Sequence, residues 1–86
     1  MSQLPIKMYA KDYCIFCWRA KRLLKKRGLD FELIDATDKP DLRKWLAEKT
    51  GRNTVPQIWI GETHVGGFDD LAALDGRGEL MKLAMG

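Results

Sequence analysis

A chain of 86 residues is enough for one domain, residues 1–86, with a modest core. Hydrophobic residues at 45% fit an ordinary globular chain, and 31% charged residues leave no stretch apolar enough for a membrane-spanning helix. The net charge of +3 is small, so where the charges fall matters more than their sum.

The first residues, Met1 to Pro5, lack a charged head followed by a long apolar stretch, so no signal peptide is expected. Residues 5–10 alternate Ile6, Met8 and Ala10 against Lys7 and Tyr9, which predicts a short strand. A helix is expected after Cys14, with Cys17, Ala20, Leu23 and Leu24 on one face and basic residues opposite. Gly28 ends it, at the position where a left-handed backbone costs least. Residues 30–35 read as a second strand, and strand, crossover helix and strand imply a right-handed parallel βαβ unit.

A second helix is expected to start near Pro40, capped by Asp38 or Lys39, with Leu42, Trp45 and Leu46 as its buried stripe and Thr50-Gly51 closing it. Trp45 is read as core. Residues 57–60 and 63–65 look like a tight hairpin about Gly61-Glu62, with Gly61 suited to a positive φ. Gly66-Gly67 leads into a short helix over 68–74, Gly76-Arg77-Gly78 interrupts it, and a last helical piece covers 79–85. The fold class is therefore α/β with one mixed sheet, in the order β-α-β-α-β-β-α plus a short extra C-terminal helix.

The chemistry concentrates at Cys14 and Cys17, the only cysteines, which fall in the first turn of the first helix. Unpaired N–H groups and the positive end of the helix dipole favour an anion there, and a thiolate is the anion available. Lys11 and the basic run behind the thiols act in the same direction. Cys17, one turn deeper, is expected to be less exposed, so Cys14 attacks and Cys17 resolves. A zinc site needs about four ligands, and His64 is the lone histidine to add to the two thiols. A bridge across three residues closes too small a loop to stabilise much. Redox chemistry is preferred to a metal or structural role, and a C-x-x-C pair without a wider disulfide framework fits a reducing cytoplasm.

Arg19, Lys21, Arg22, Lys25, Lys26 and Arg27 crowd the helix behind the thiols. No stacking aromatics alternate with these charges as they do in single-strand binders. The charge is read as favouring anionic small substrates and the thiolate, with no nucleic-acid and no membrane partner.

Cys14-Ile15-Phe16-Cys17, followed by Thr54-Val55-Pro56 and by Gly66-Gly67-Phe68-Asp69-Asp70-Leu71, resembles a small bacterial-type, dithiol glutaredoxin over essentially the whole chain. The resemblance implies a thioredoxin fold, a four-stranded mixed sheet flanked by helices, with glutathione held in a groove beside the thiols. It implies a glutathione-disulfide oxidoreductase that reduces protein–glutathione mixed disulfides and small disulfides through Cys14, with Cys17 resolving. Pro56 resembles the family's cis-proline, which lets Val55 offer its backbone N–H and C=O to the ligand, beside Thr54. Gly66 and Gly67 let the backbone approach the ligand closely, the helix starting near Phe68 meets the γ-glutamyl carboxylate, and Asp69 or Asp70, with Asp69 favoured, meets its ammonium. Lys11 and Arg43 meet the glycyl carboxylate, while Tyr13 and Phe16 flank the thiols. Trp18 either covers the thiols or packs on the rim.

Two positions depart from the commonest family pattern: Phe16 stands where Tyr is common, and Ile15 where Pro is. Proline in the first helical turn fixes φ and removes a donor. With Ile15 one more N–H is available to the Cys14 sulfur, which bears on the reduction potential more than on the reaction class. Family members lacking that proline include [2Fe–2S] binders, so the alternative is a dimer holding a cluster between Cys14 of each chain and two glutathiones. Otherwise a monomer is expected, with glutathionylated or disulfide-containing proteins as partners. A thioredoxin-like reductant that uses no glutathione is the third reading.

Overall fold

The computed structural model describes residues 3–52 and 54–86, so Met1 and Ser2, on which the signal-peptide reading partly rests, lie outside the described residues. The elements are β1 (Ile6–Ala10), α1 (Ile15–Lys26), β2 (Glu32–Asp35), α2 (Pro40–Thr50), β3 (Gln57–Ile60), β4 (Thr63–Gly66), α3 (Phe68–Gly76) and α4 (Leu80–Ala84). The strands form one mixed sheet in the order β2-β1-β3-β4, parallel between β1 and β2 and antiparallel elsewhere. This is the expected α/β architecture with its short additional helix at the C-terminal end. Among the described residues no helix is long and apolar enough to cross a membrane.

Strand alternation divides the molecule into two layers about the sheet. Ile6, Met8 and Ala10 of β1, with Ile58 and Ile60 of β3, meet Cys17, Ala20 and Leu24 of α1, Leu71 of α3 and Leu80 and Ala84 of α4. The opposite parity, Tyr9 and Trp59, meets α2 through the Trp45 ring. Arg27 at the end of α1 makes a two-pronged ion pair with Asp75 of α3, at 2.7 and 2.9 Å, tying the two core-side helices together.

Two sequence expectations need correction. Trp45 is not core: it is 43% exposed, and of the residues of α2 only Leu46 is buried. A single helix cannot roof a four-stranded sheet, so Trp45 lies at its rim. One part of the ring packs against Tyr9 and Trp59, and the Lys49 ammonium sits 5.2 Å from its centroid. The second strand starts at Glu32 and not at Asp30. The Asp30 N–H and C=O are taken by the Gln3 side chain, at 2.8 and 2.7 Å, and this detains the chain before it joins β1.

Local signals hold at the helix ends. Gly28 (φ +70) and Gly51 (φ +72) adopt the left-handed conformation just beyond α1 and at the end of α2. Pro40 takes the first position of α2 behind Lys39, the N-cap, whose side chain makes no capping bond. Gly61 (φ +58) opens the two-residue turn between β3 and β4.

Ile58 is fully buried on a strand paired on both sides. Ile58→Ala is therefore expected to cost about 2–5 kcal/mol through lost burial and a residual cavity. Urea denaturation would show it as a lower midpoint; an unchanged midpoint would contradict this packing.

Candidate active site

The connection from β1 to α1 shapes the site. The Asp12 N–H donates to Thr37 Oγ1 at 2.8 Å, anchoring the loop against the β2–α2 connection. Tyr13 adopts φ +57, which reverses the chain immediately before Cys14. Cys14 is extended (φ −105°, ψ 109°) and is the N-cap of α1. Its Sγ accepts the Cys17 N–H at 3.1 Å, filling the place that a Ser or Asp oxygen occupies in an ordinary cap. On the other side the Cys14 thiol reaches the Val55 carbonyl oxygen at 3.9 Å, bringing the T-V-P turn against the sulfur. The Val55–Pro56 peptide bond is cis.

Cys17 has a different environment. It is 2% exposed within the α1 core face. Burial first, then its proximity to Cys14, push its thiol up to about 12, against smaller opposing effects from the Lys11 backbone and the Lys21 charge. The pair therefore consists of one accessible sulfur and one that stays protonated at neutral pH.

Beside Cys14 runs a groove of about 260 Å³. Phe16, Thr54, Val55, Pro56, Gly67, Phe68, Asp69 and Asp70, all named from the sequence, line it. Lys11 and Arg43 line an adjoining crevice against Val55, with the Arg43 Nε buried and unpartnered among the described residues. Tyr13 stands outside both, fully exposed. The larger hollow of about 810 Å³, between Tyr9, Trp45, Trp59 and Lys49, is on the opposite sheet face and contains no thiol.

Sequence reasoning missed Arg52, which lines the groove and the crevice alike. Its Nη1 lies 2.8 Å from Asp70 Oδ2. The available signal was an arginine two residues before Thr54, in a loop already marked by the T-V-P turn. Lys11 and Arg43 stand at one end of the site, and Arg52 bridges from their crevice to Asp70.

At the other end, the two aspartates separate. Asp70 Oδ2 accepts the Gly67 N–H at 3.0 Å as well as the Arg52 donor, so it caps α3 from within. The Arg52 hydrogen bond first, then the Gly67 N–H, hold its carboxyl below the ordinary 3.8. Asp69 is exposed and makes no ion pair among the described residues. The N–H groups of Phe68 and Asp69 have no acceptor within the helix and are available at its positive end.

Gly66 and Gly67 also differ. Gly66 is at φ +115, and a Cβ there would run into the Asp70 carboxylate and come 2.8 Å from Arg52 Nη1. A Cβ on Gly67 would meet only the Pro56 carbonyl oxygen, at 3.5 Å. The first glycine is required by the cap and the ion pair, and the second leaves backbone open to the groove.

The family model described as Glutaredoxin matches residues 6–65. A glutaredoxin of Pseudomonas aeruginosa is 55% identical over 76 residues, covering 88% of this chain and 90% of the relative. Among solved structures, the solution structure of glutaredoxin from Brucella melitensis superposes with a TM-score of 0.89 at 46% identity, covering 99% of this chain and 92% of that one. A crystal structure of a buckwheat glutaredoxin–glutathione complex gives 0.89 at 29% identity, covering 94% and 76%.

The difference between the thiols has a direct readout. Iodoacetamide applied to the reduced, folded protein near neutral pH is expected to add one group, on Cys14, and a second only after denaturation. Peptide mass spectrometry would locate them, and an adduct on Cys17 in the folded protein would refute its burial.

The depressed Asp70 carboxyl also carries a pH signature. Its folded value lies below its unfolded one, so its contribution is complete above about pH 4 and is lost as the pH falls through the folded value. Asp70→Asn should therefore be less stable than wild type at pH 6, with the gap narrowing towards about pH 2. Urea melts at both pH values test this; a constant gap would mean that the charge contributes nothing.

Proposed function

As this chain belongs to the glutaredoxin family of thiol–disulfide oxidoreductases, we propose that glutathione is its reductant and Cys14 its nucleophile. The observation that carries the reading is the Cys14 sulfur, capped by the Cys17 N–H at 3.1 Å beside a groove with Lys11 and Arg43 at one end and Asp69 and the start of α3 at the other. Lys11 and Arg43 suit a carboxylate at one end. At the other, the free N–H groups at the start of α3 suit a second carboxylate, and the unpaired Asp69 suits an ammonium. Glutathione carries these groups in that order along an extended tripeptide. The buckwheat relative seen in complex with glutathione supports the same choice.

In the proposed cycle the Cys14 thiolate attacks the glutathionyl sulfur of a mixed disulfide. The old S–S bond breaks, the protein or small-molecule thiol leaves and takes up a proton, and Cys14 stays joined to glutathione. A second glutathione thiolate then attacks that glutathionyl sulfur, forming glutathione disulfide and returning Cys14 as a thiolate. Nucleophile and leaving group are thus the same sulfur in alternate steps, and its place at a helix tip with unpaired backbone donors serves both.

Cys17 offers an internal second step by attacking Cys14 Sγ and expelling glutathione. A thiol pushed up to about 12 is almost wholly protonated at neutral pH, which handicaps this route while Cys14 is free. Once Cys14 is joined to glutathione, the part of the push on Cys17 that comes from the Cys14 thiol goes with it. Burial remains, so glutathione is the faster resolving thiol on simple substrates.

The residues do not fit a cluster site within one chain. A [2Fe–2S] centre takes four thiolates or their equivalents, and one chain supplies one accessible sulfur, so the cluster reading requires Cys14 of two chains and two glutathiones. No group of three or more candidate metal ligands occurs among the described residues.

The deciding experiment is reduction of hydroxyethyl disulfide by glutathione, coupled to glutathione reductase. Cys14→Ser is expected to fall to background, while Cys17→Ser retains rates within a few-fold of wild type. Equal loss in the two variants would overturn the assignment of roles.

A further inference from the structure

A second groove, of about 610 Å³, runs between α1 and α3 on the far side of Phe68 from the first. Its walls include Trp18, Arg22, Leu23 and Lys26 of α1, with Phe68 and Ala72 of α3. Phe68 lines both grooves, and its ring lies 6.4 Å from that of Phe16, so the two aromatics form a ridge beside the thiols. Around that ridge Ile15, Phe16 and Trp18 are each about half exposed, at 58%, 47% and 52%.

The charge in this groove is one-sided. Arg19, Arg22 and Lys26 make no ion pair among the described residues. The carboxylate of the groove, Asp75, is already held by both prongs of Arg27. Arg19 and Arg22 lie instead over the Phe16 and Trp18 rings, at 5.6 and 5.3 Å from the centroids. A guanidinium stacked on an aromatic face keeps its in-plane donors free for a carboxylate. Apolar walls with unpaired cations beside a nucleophile are complementary to an acidic, partly apolar chain.

We infer that this α1–α3 groove binds the polypeptide half of a mixed disulfide and selects substrates with an acidic residue a few positions from the reacting cysteine. The inference rests on the glutathione reading, which assigns the other half to the first groove. The partner is a polypeptide because Cys14 needs a sulfur to attack, and a nucleic acid offers none. In the exchange step the bond between Cys14 and the glutathionyl sulfur forms, and the bond to the peptide cysteine breaks. That cysteine leaves as a thiolate on the Phe68 side and takes a proton from water. The second glutathione supplies the remaining electrons, as in the cycle above.

The spacing follows from two rises. Arg22 is eight residues beyond Cys14, about 12 Å along a helix, and Lys26 is about 18 Å. An extended peptide advances about 3.3 Å per residue. A carboxylate three to five residues from the substrate cysteine therefore reaches Arg22 or Lys26, whereas one six or more away passes beyond them.

The test uses synthetic glutathionylated peptides with one Glu at stepped distances on either side of the cysteine, and matched Gln peptides, alongside hydroxyethyl disulfide. Wild type is expected to favour the three-to-five Glu peptides over their Gln counterparts by about two- to fivefold in kcat/KM, the scale of one partly screened ion pair. The preference should shrink as salt is raised and disappear in R22Q/K26Q. It is a ratio within each enzyme form, so any change in the reactivity of Cys14 cancels. Equal turnover of Glu and Gln peptides, or a preference that survives in R22Q/K26Q, overturns the groove's role while hydroxyethyl disulfide is still reduced. Failure to reduce hydroxyethyl disulfide with glutathione would remove the underlying reading, and this inference with it.

Discussion

The site depends on one contact, the Cys17 N–H donated to the Cys14 sulfur at 3.1 Å. The same contact is the N-cap of α1, so the proposed nucleophile and the group that closes the helix are one atom. A thiolate accepts an N–H bond far better than a neutral thiol does. The ordering of the helix tip and the placing of the sulfur therefore go together. The neutral thiol has a partner of its own in the Val55 carbonyl oxygen, at 3.9 Å. The T-V-P turn thus marks one limit of the sulfur's position and the helix tip the other.

That geometry separates the two cysteines although they lie one turn apart. Cys14 stands before the first turn, where backbone donors are unpaired, and Cys17 falls on the face that meets β1 and α3. Helical periodicity forces this: the stripe that holds α1 on the sheet runs through Cys17, Ala20 and Leu24. Burial of the second sulfur follows from docking the helix and needs no separate device. Its high proton affinity comes from the same burial, reinforced by its neighbour.

Much of this was legible in the sequence because it is local. The alternation in β1, the helix ended by Gly28, the hairpin about Gly61 and the C-x-x-C at a helix start depend on residues within a few positions of one another. What escaped was non-local. Trp45 has the spacing of a core residue, and nothing in α2 reveals that the sheet is wider than the helix covering it. The start of β2 is set by Gln3, 27 residues away from Asp30. Arg52 matters because of Asp70, 18 residues on, and no periodicity links a loop arginine to a helix cap.

Arg52 and Asp70 also alter how the paired glycines are understood. Both were expected to let a ligand approach the backbone. At Gly66 the space is already taken, since a side chain would strike the Asp70 carboxylate and the Arg52 guanidinium. Asp70, engaged by Arg52 and by the Gly67 N–H, has little left to offer a ligand. The open positions are then Gly67, the first N–H groups of α3 and the unpaired Asp69. One aspartate fixes the helix start so that its neighbour can face the groove. These contacts hold the start of α3 through the protein's own side chains, and a peptide bound to a helix start held in this way loses less affinity to ordering the protein than it would on a loose turn.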